Sequence, residues 1–273
     1  MPNPESPSDS YRDPNTKTYF ASDFHFGVPD YESSLQRERK LVAWLEEISV
    51  DANELYLVGD LFDFWFEYKH AIPKYYTRFL GQLARMSDAG IKIYIFSGNH
   101  DVWMRDYFSK EFNIEVHHGP LIKTIGNKKF YIAHGDGLGP DDHGYKFIKK
   151  LFRNPFCQWL FRQLHPDMGI RLANYFSRSS RSVNADRDKV FYGEDKEWLI
   201  IYSKEILQHT HYDYFIYGHR HYPLQLDLGN GATYINLGDW ITHFTYAVFD
   251  GEKASISYLS LREKGGTGEG NQN

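Results

Sequence analysis

The 273-residue sequence has a single cysteine, Cys157, so no disulfide can form within the chain and a disulfide-stapled scaffold is excluded. It lacks any apolar run near the roughly 20 residues that cross a bilayer. Its first residues, MPNPESPSDSYRDPN, lack the apolar stretch of a secretory leader. A cationic balance is also missing: 31 Lys and Arg face 36 Asp and Glu, for a net charge of −5, which disfavours a general nucleic-acid binder. These absences point to a soluble cytoplasmic protein, free to lie on a membrane surface, with no nucleic acid as partner. Hydrophobic residues are plentiful at 41%, and aromatics reach 17%, which excludes global disorder. The length suits one large domain carrying a sizeable core.

Residues 1–16 are rich in Pro, Ser and Asp, and 263–273 in Gly and polar residues; both are expected to be disordered tails. The body, 17–262, alternates β-rich runs with amphipathic ones. Strands are predicted at 17–23, 54–59, 91–97, 128–133, 214–217 and 232–236. Helices are predicted over 33–49, where Leu41, Trp44, Leu45 and Ile48 recur at helical spacing, and over 73–89, opened by Pro73 and closed by Gly90. Two further runs, 244–249 and 254–259, flank an Asp250-Gly251 turn. Strand–helix–strand order implies right-handed βαβ units, and the later strands imply mixed sheets. The expected fold is therefore an α/β sandwich of mixed sheets flanked by helices.

One stretch breaks the alternation. From about 143 to 185 the apolar residues fall at helical spacing, as in Phe156/Trp159/Leu160 and Leu172/Tyr175/Phe176. Between Tyr145 and Ser182 lie eight lysines and arginines against one acid, Asp167. A basic helical insertion is predicted there. Either its apolar stripe packs on the sheet as an ordinary cap, or it forms a groove for an apolar ligand.

The polar motifs sit where the strands end. Asp23-Phe24-His25 follows YFAS, Gly59-Asp60 follows ELYLV, and Gly98-Asn99-His100-Asp101 follows IYIFS. His134-Gly135-Asp136 follows KFYIA, and Gly218-His219-Arg220-His221 follows YFIY. Each alone is most simply a turn or a cap. Together they place carboxylates, imidazoles and one amide at five strand ends, which is where α/β sheets build their sites. That donor set, free of thiolate, suits hard or borderline divalent cations. In Asp23-x-His25 and His219-x-His221 the spacing puts both side chains on one side of an extended backbone.

The five motifs, in this order, resemble those of the calcineurin-like metallophosphoesterases, and the resemblance runs from Asp23 to His221. It implies that family's sandwich of mixed sheets flanked by helices (αββα), and two divalent metal ions. Asp23, His25, Asp60 and His221 would hold the first ion, and Asp60, Asn99, His134 and His219 the second, with Asp60 shared. His100 would lie near the leaving-group oxygen as proton donor or transition-state stabiliser, with Asp101 orienting it. Ions about 3.5–4 Å apart suit in-line displacement at phosphorus. Asp63 and Asp136 are expected to support these ligands. His117, His118, His165, His209, His211 and His243 are expected in structural or surface positions. His143, beside Asp141-Asp142, has a case for the site.

Within that superfamily the chain is most similar to the UDP-2,3-diacylglucosamine pyrophosphohydrolases of lipid A synthesis. GDLFDFW at 59–65, HGDG before Asp141-Asp142, the basic aromatic insertion and one GHRH carry the similarity. It implies cleavage of a lipid-linked nucleotide to UMP and 2,3-diacylglucosamine 1-phosphate, with manganese as metal and iron, zinc or magnesium as alternatives. It also implies a peripheral position on the cytoplasmic face of the inner membrane. Asp142, Arg153, Arg178 and Arg181 would contact substrate or headgroups. The sequence departs from the proteobacterial pattern in carrying His100 where those enzymes have Arg. The competing readings are a soluble phosphodiester or phosphomonoester hydrolase of the same superfamily and a metal-bearing scaffold without activity.

Overall fold

The apolar runs fold as strands of two sheets, and the amphipathic ones as helices outside them. The computed structural model describes residues 16–138, 152, 154–184 and 190–260. The predicted tails, apart from Thr16, and both ends of the predicted insertion lie outside those residues. In chain order the elements are β1 (Lys17–Ala21), α1 (Tyr31–Ile48), β2 (Ala52–Val58), α2 (Thr77–Asp88), β3 (Lys92–Phe96), α3 (Tyr107–Phe112) and β4 (Glu115–His117). There follow β5 (Leu121–Ile125), β6 (Lys128–Ala133), α4 (Pro155–Arg162), α5 (Pro166–Asn184), α6 (Trp198–Leu207) and β7 (Tyr214–Tyr217). The chain closes with β8 (Pro223–Gly229), β9 (Ala232–Leu237), β10 (Thr245–Phe249) and β11 (Ala254–Tyr258).

One sheet runs β11-β10-β1-β2-β3-β4 and the other β5-β6-β7-β9-β8. β1 through β4 are mutually parallel, as are β6, β7 and β9, while the outer strands β5, β8 and β10–β11 run antiparallel. Phe20, Tyr56, Phe130, Ile132, Ile216 and Ile235 are buried between the sheets, and β-branched or aromatic residues suit that pleated, two-sided burial. Leu41, Trp44, Leu45 and Ile48 of α1 pack with Phe79 and Leu83 of α2 on the outer face of the first sheet. Burying each such side chain contributes roughly 1.5–3 kcal/mol. Asp30 caps α1 by accepting from the Ser33 N–H at 2.8 Å. Leu199 and Ile200 of α6 cover the second sheet with Tyr131, Phe215 and Tyr234. The result is helix, sheet, sheet, helix, the mixed α/β sandwich expected from the strand order.

One local expectation differs. The second helix begins at Thr77 rather than Pro73, because Tyr75 and Tyr76 take left-handed angles (φ 89° and 55°) that no helix can include. Trp65 is fully buried between Phe62 and Phe108. Within the predicted insertion, α4 and α5 leave Phe156, Trp159, Leu160, Leu172, Tyr175 and Phe176 exposed. α4 starts at an Asn154 cap whose side chain accepts from the Phe156 and Cys157 N–H groups, with Pro155 in the first turn.

Candidate metal centre

The parallel strands β1, β2, β3, β6 and β7 all deliver their loops to one end of the sandwich. Asp23, Asp60, Asn99, His134 and His219 arrive there from five different strands. The backbone is bent to do this: Asp23, His25, Asp60 and His219 have φ of 57°, 44°, 52° and 66°, so the extended geometry expected of Asp23-x-His25 and His219-x-His221 does not hold, and the turns beyond the strand ends bring these side chains together. Non-glycine residues in that region cluster where function over-determines the fold. Gly59 is needed for space as well as angle, since a Cβ there would lie 2.4 Å from His134 Nδ1. Arg37 of α1 reinforces the first loop by donating to the carbonyls of His25, at 2.8 Å, and Val28.

The donor atoms form two adjoining groups. Asp23, His25 and His221 bring ligand atoms within 4.8 Å of one another, and so do Asp60, His134 and His219. His25 Nε2 lies 3.7 Å and His221 Nε2 3.6 Å from Asp23 Oδ1. In the second group Asn99 Oδ1 is 3.0 Å from His219 Nδ1 and 3.4 Å from His134 Nε2. Asp60 Oδ2 sits between the groups, 3.7 Å from His25 Nε2 and 3.4 Å from His134 Nε2. Atoms each about 2 Å from a shared cation are spaced on this scale. Asp23 Oδ1 and His25 Nε2 are buried without a hydrogen-bond partner among the described residues. Buried polar atoms are normally satisfied, and a divalent cation is the partner this donor set fits. All seven sequence-predicted ligands are thus brought together.

Supporting groups fix the rings. His134 Nδ1 is 2.9 Å from the Val58 carbonyl, which orients Nε2 toward Asp60. His221 Nδ1 is 3.2 Å from Asp239 Oδ2, and Asp239 Oδ1 accepts from the Thr242 and His243 N–H groups at 2.8 and 2.9 Å. Asp239 is a group the sequence reading missed, although Leu237-Gly238-Asp239 at the end of β9 repeats the strand-Gly-Asp pattern of Val58-Gly59-Asp60. It also draws His243 toward the site, with His243 Nδ1 3.4 Å from Asp239 Oδ1. Asp239→Ala is expected to weaken cation binding by about 10–100-fold, read by manganese titration, with turnover restored by excess metal.

His100 and Asp101 part company. Asp101 is fully buried, and its carboxylate accepts from Gly98 N at 2.7 Å and Leu61 N at 2.8 Å, tying two ligand loops together. The carboxylate beside the His100 ring is Asp63, with Oδ1 at 3.5 Å from Nδ1. Ser177 of α5 completes the arrangement: its Oγ donates to Asp63 Oδ2 at 2.9 Å and lies 3.1 Å from His100 Nδ1. The groups beside the His100 ring are thus Asp63 and Ser177 rather than Asp101, because successive residues of a tight loop face different ways. Asp136 is buried, and its charge helps raise His134. Asp142, Arg153 and His143 lie outside the described residues, as do the side chains of Arg178 and Arg181 on α5.

Charge balances charge in this cage. Burial opposes ionisation of Asp60, but His134, His100 and His25 hold it well below the usual carboxylate range. Burial likewise disfavours a charged His134, yet the adjacent Asp60 carboxylate pushes it up to about 10. Enclosure lowers His25. His221 is raised, since Asp239 and Asp23 outweigh its burial. Asp239 falls to about 2, burial being overcome by His221 and two backbone N–H groups. Asp101 rises to about 7, through burial and the charge of Asp60. Cation binding must displace protons from the raised imidazoles of His134 and His221, so affinity rises with pH.

Residues 16–223 match the family model described as calcineurin-like phosphoesterase. Among curated relatives, the UDP-2,3-diacylglucosamine hydrolase of Porphyromonas gingivalis is 38% identical over 248 residues, covering 86% of this chain and 95% of the relative. The enzymes of the same name from Histophilus somni and Proteus mirabilis are 26% and 28% identical, covering 82% of this chain and 92% and 91% of their own. With its ligand loops at five strand ends and that match across most of its length, the chain belongs to the calcineurin-like phosphoesterase family.

Proposed function

We propose that this chain hydrolyses the pyrophosphate of UDP-2,3-diacylglucosamine, releasing UMP and 2,3-diacylglucosamine 1-phosphate. The observation that carries the hydrolase reading is the Asp60 carboxylate lying between two donor groups, the arrangement a pair of cations about 3.5–4 Å apart requires. Bound divalent cations, manganese in this reading, supply Lewis acidity and a water of lowered pKa. The chain's own residues do the rest. Asp60 neutralises and aligns both halves of the site, and Asp239 and Val58 lock the tautomers of His221 and His134. His100 is held through Nδ1–H by Ser177 and the Asp63 carbonyl, at 3.1 and 3.3 Å, so when the ring carries its second proton Nε2–H is the one free to pass to the departing oxygen.

The lipid half is supported by the named relatives and by surface chemistry. α4 and α5 expose Phe156, Trp159, Leu160 and Phe176 beside a helix that reaches the metal centre through Ser177. Each methylene of an acyl chain buried there is worth about 0.8 kcal/mol. No helix among the described residues is long and apolar enough to cross a membrane. In this reading the lipid substrate is met at the membrane surface, on its cytoplasmic face. The basic residues Arg153, Arg178 and Arg181 would meet its phosphates or neighbouring headgroups. With manganese and detergent-dispersed UDP-2,3-diacylglucosamine, UMP release is expected, and it stops on chelation. Turnover of water-soluble diesters matching or exceeding that of the lipid would instead favour a soluble hydrolase.

A further inference from the structure

Beside the metal centre lies a second space that the catalytic ligands do not fill. A cavity of about 660 Å³ opens between the start of α1, the loop before α2 and the first turns of α5, and Asp63 forms part of its wall. Since Asp63 is also the carboxylate beside His25 and His100, the cavity adjoins the reaction centre directly. Its volume falls within the range of small-molecule sites, about 300–1,000 Å³.

The lining is aromatic and polar together. Tyr31 and Tyr75 are 53% and 50% exposed, with ring centroids 5.2 Å apart and planes tilted by 50°. Lys74 and Arg171 add two cations, Lys74 Nζ lying 5.1 Å from the Tyr75 ring centroid; of the three acids in the wall, Glu38 is taken up by the Arg78 and Phe79 N–H groups and Asp63 by Ser177, which leaves Asp167. Tyr75 is held at φ 89° and Tyr76 at φ 55°, an arrangement that no local turn chemistry asks of two successive tyrosines. The buried Tyr76 hydroxyl, donating to the Phe26 carbonyl at 3.2 Å, anchors that loop against the segment leaving Asp23 and His25. A half-exposed ring pair with nearby cations is the chemistry that takes a planar base and its attached phosphate. It contrasts with the apolar face that Phe156, Trp159 and Phe176 present, so the two surfaces sort the two unlike halves of a nucleotide-linked lipid.

We infer that this cavity is the nucleoside subsite: the base stacks against Tyr31 and Tyr75, and Lys74 and Arg171 face the phosphate side. The inference rests on the hydrolase reading above, and names which part of the molecule receives the uridine. The discriminating measurement is inhibition of the manganese-loaded full chain by UMP and by orthophosphate, with bis(p-nitrophenyl) phosphate as reporter. Both inhibitors meet the cations, but only UMP carries a base. UMP is expected to inhibit at least about 10-fold more tightly than orthophosphate, and Tyr31→Ala and Tyr75→Gly should each collapse most of that difference. Glycine accepts φ 89° without strain, so loss in the second variant does not trace to misfolding. A UMP preference absent from the unmodified protein, or kept by both variants, overturns the assignment. So does a Tyr31→Ala effect confined to inhibition by 2,3-diacylglucosamine 1-phosphate, which would make the cavity an acyl site. Hydrolysis of the diester without hydrolysis of UDP-2,3-diacylglucosamine would remove the lipid reading, while the UMP-to-orthophosphate ratio still decides the cavity. Where no substrate turns over, calorimetry gives the same ratio.

Discussion

Asp60→Asn is expected to abolish binding of the second cation, loosen the first, and lower turnover by roughly 10³-fold or more, the scale of losing a group that stabilises transition-state charge. The substitution keeps the side-chain volume and removes the charge. In the native site one Asp60 oxygen approaches both His25 and His134, and the other accepts from the His100 N–H at 2.9 Å. An amide cannot serve both: whichever atom faces the cations, one end brings N–H groups where an acceptor is needed. The same carboxylate is what lifts His134 to about 10, so its removal also lets that ring fall toward its ordinary range. Metal stoichiometry by mass spectrometry, together with initial rates, checks the prediction. Retention of two equivalents of metal with turnover within tenfold of the unmodified protein would mean that Asp60 is not the shared ligand.

The ligands were legible because each follows an apolar strand, so period and position could be read together. Asp239 obeys the same rule at the end of β9, yet it stands without a histidine beside it, and its importance comes only from the ring of His221 across the loop. For His100 the resemblance implies Asp101 as partner, whereas the tertiary fold brings up Asp63 and, from 77 positions away, Ser177. No local pattern encodes such a contact. The start of α2 failed for a related reason. Pro73 is a sound helix opener by itself, but the packing of the Tyr76 hydroxyl against Phe26 holds the next residues out of the helix. What sequence supplied well was the chemistry of each strand end; what it could not supply was which neighbour each side chain turns to.

Gly98→Ala should reproduce much of the Asp60 defect without deleting any ligand. A Cβ on Gly98 would lie 2.1 Å from Asp60 Oδ1 and 2.6 Å from the Asp60 backbone nitrogen, distances that real contacts do not tolerate. Neither backbone can yield easily: His25 N donates to the Asp60 carbonyl at 2.9 Å, and Gly98 N is held by Asp101 Oδ1 at 2.7 Å. The added methyl must therefore displace the Asp60 carboxylate or open the two loops. Overpacking of this kind costs about 2 kcal/mol, a fall in melting temperature of about 4–8 °C for a domain of this size. Manganese binding should weaken in parallel with turnover, although no donor atom has been deleted. Gly81, in the middle of α2 with open space around its Cβ position, provides the contrast. Gly81→Ala removes backbone freedom from the unfolded chain without a clash, and is expected to raise stability by roughly 0.5–1 kcal/mol. If Gly98→Ala instead keeps both metal content and melting temperature, the close approach of the β2 and β3 loops is not what holds the shared carboxylate in place.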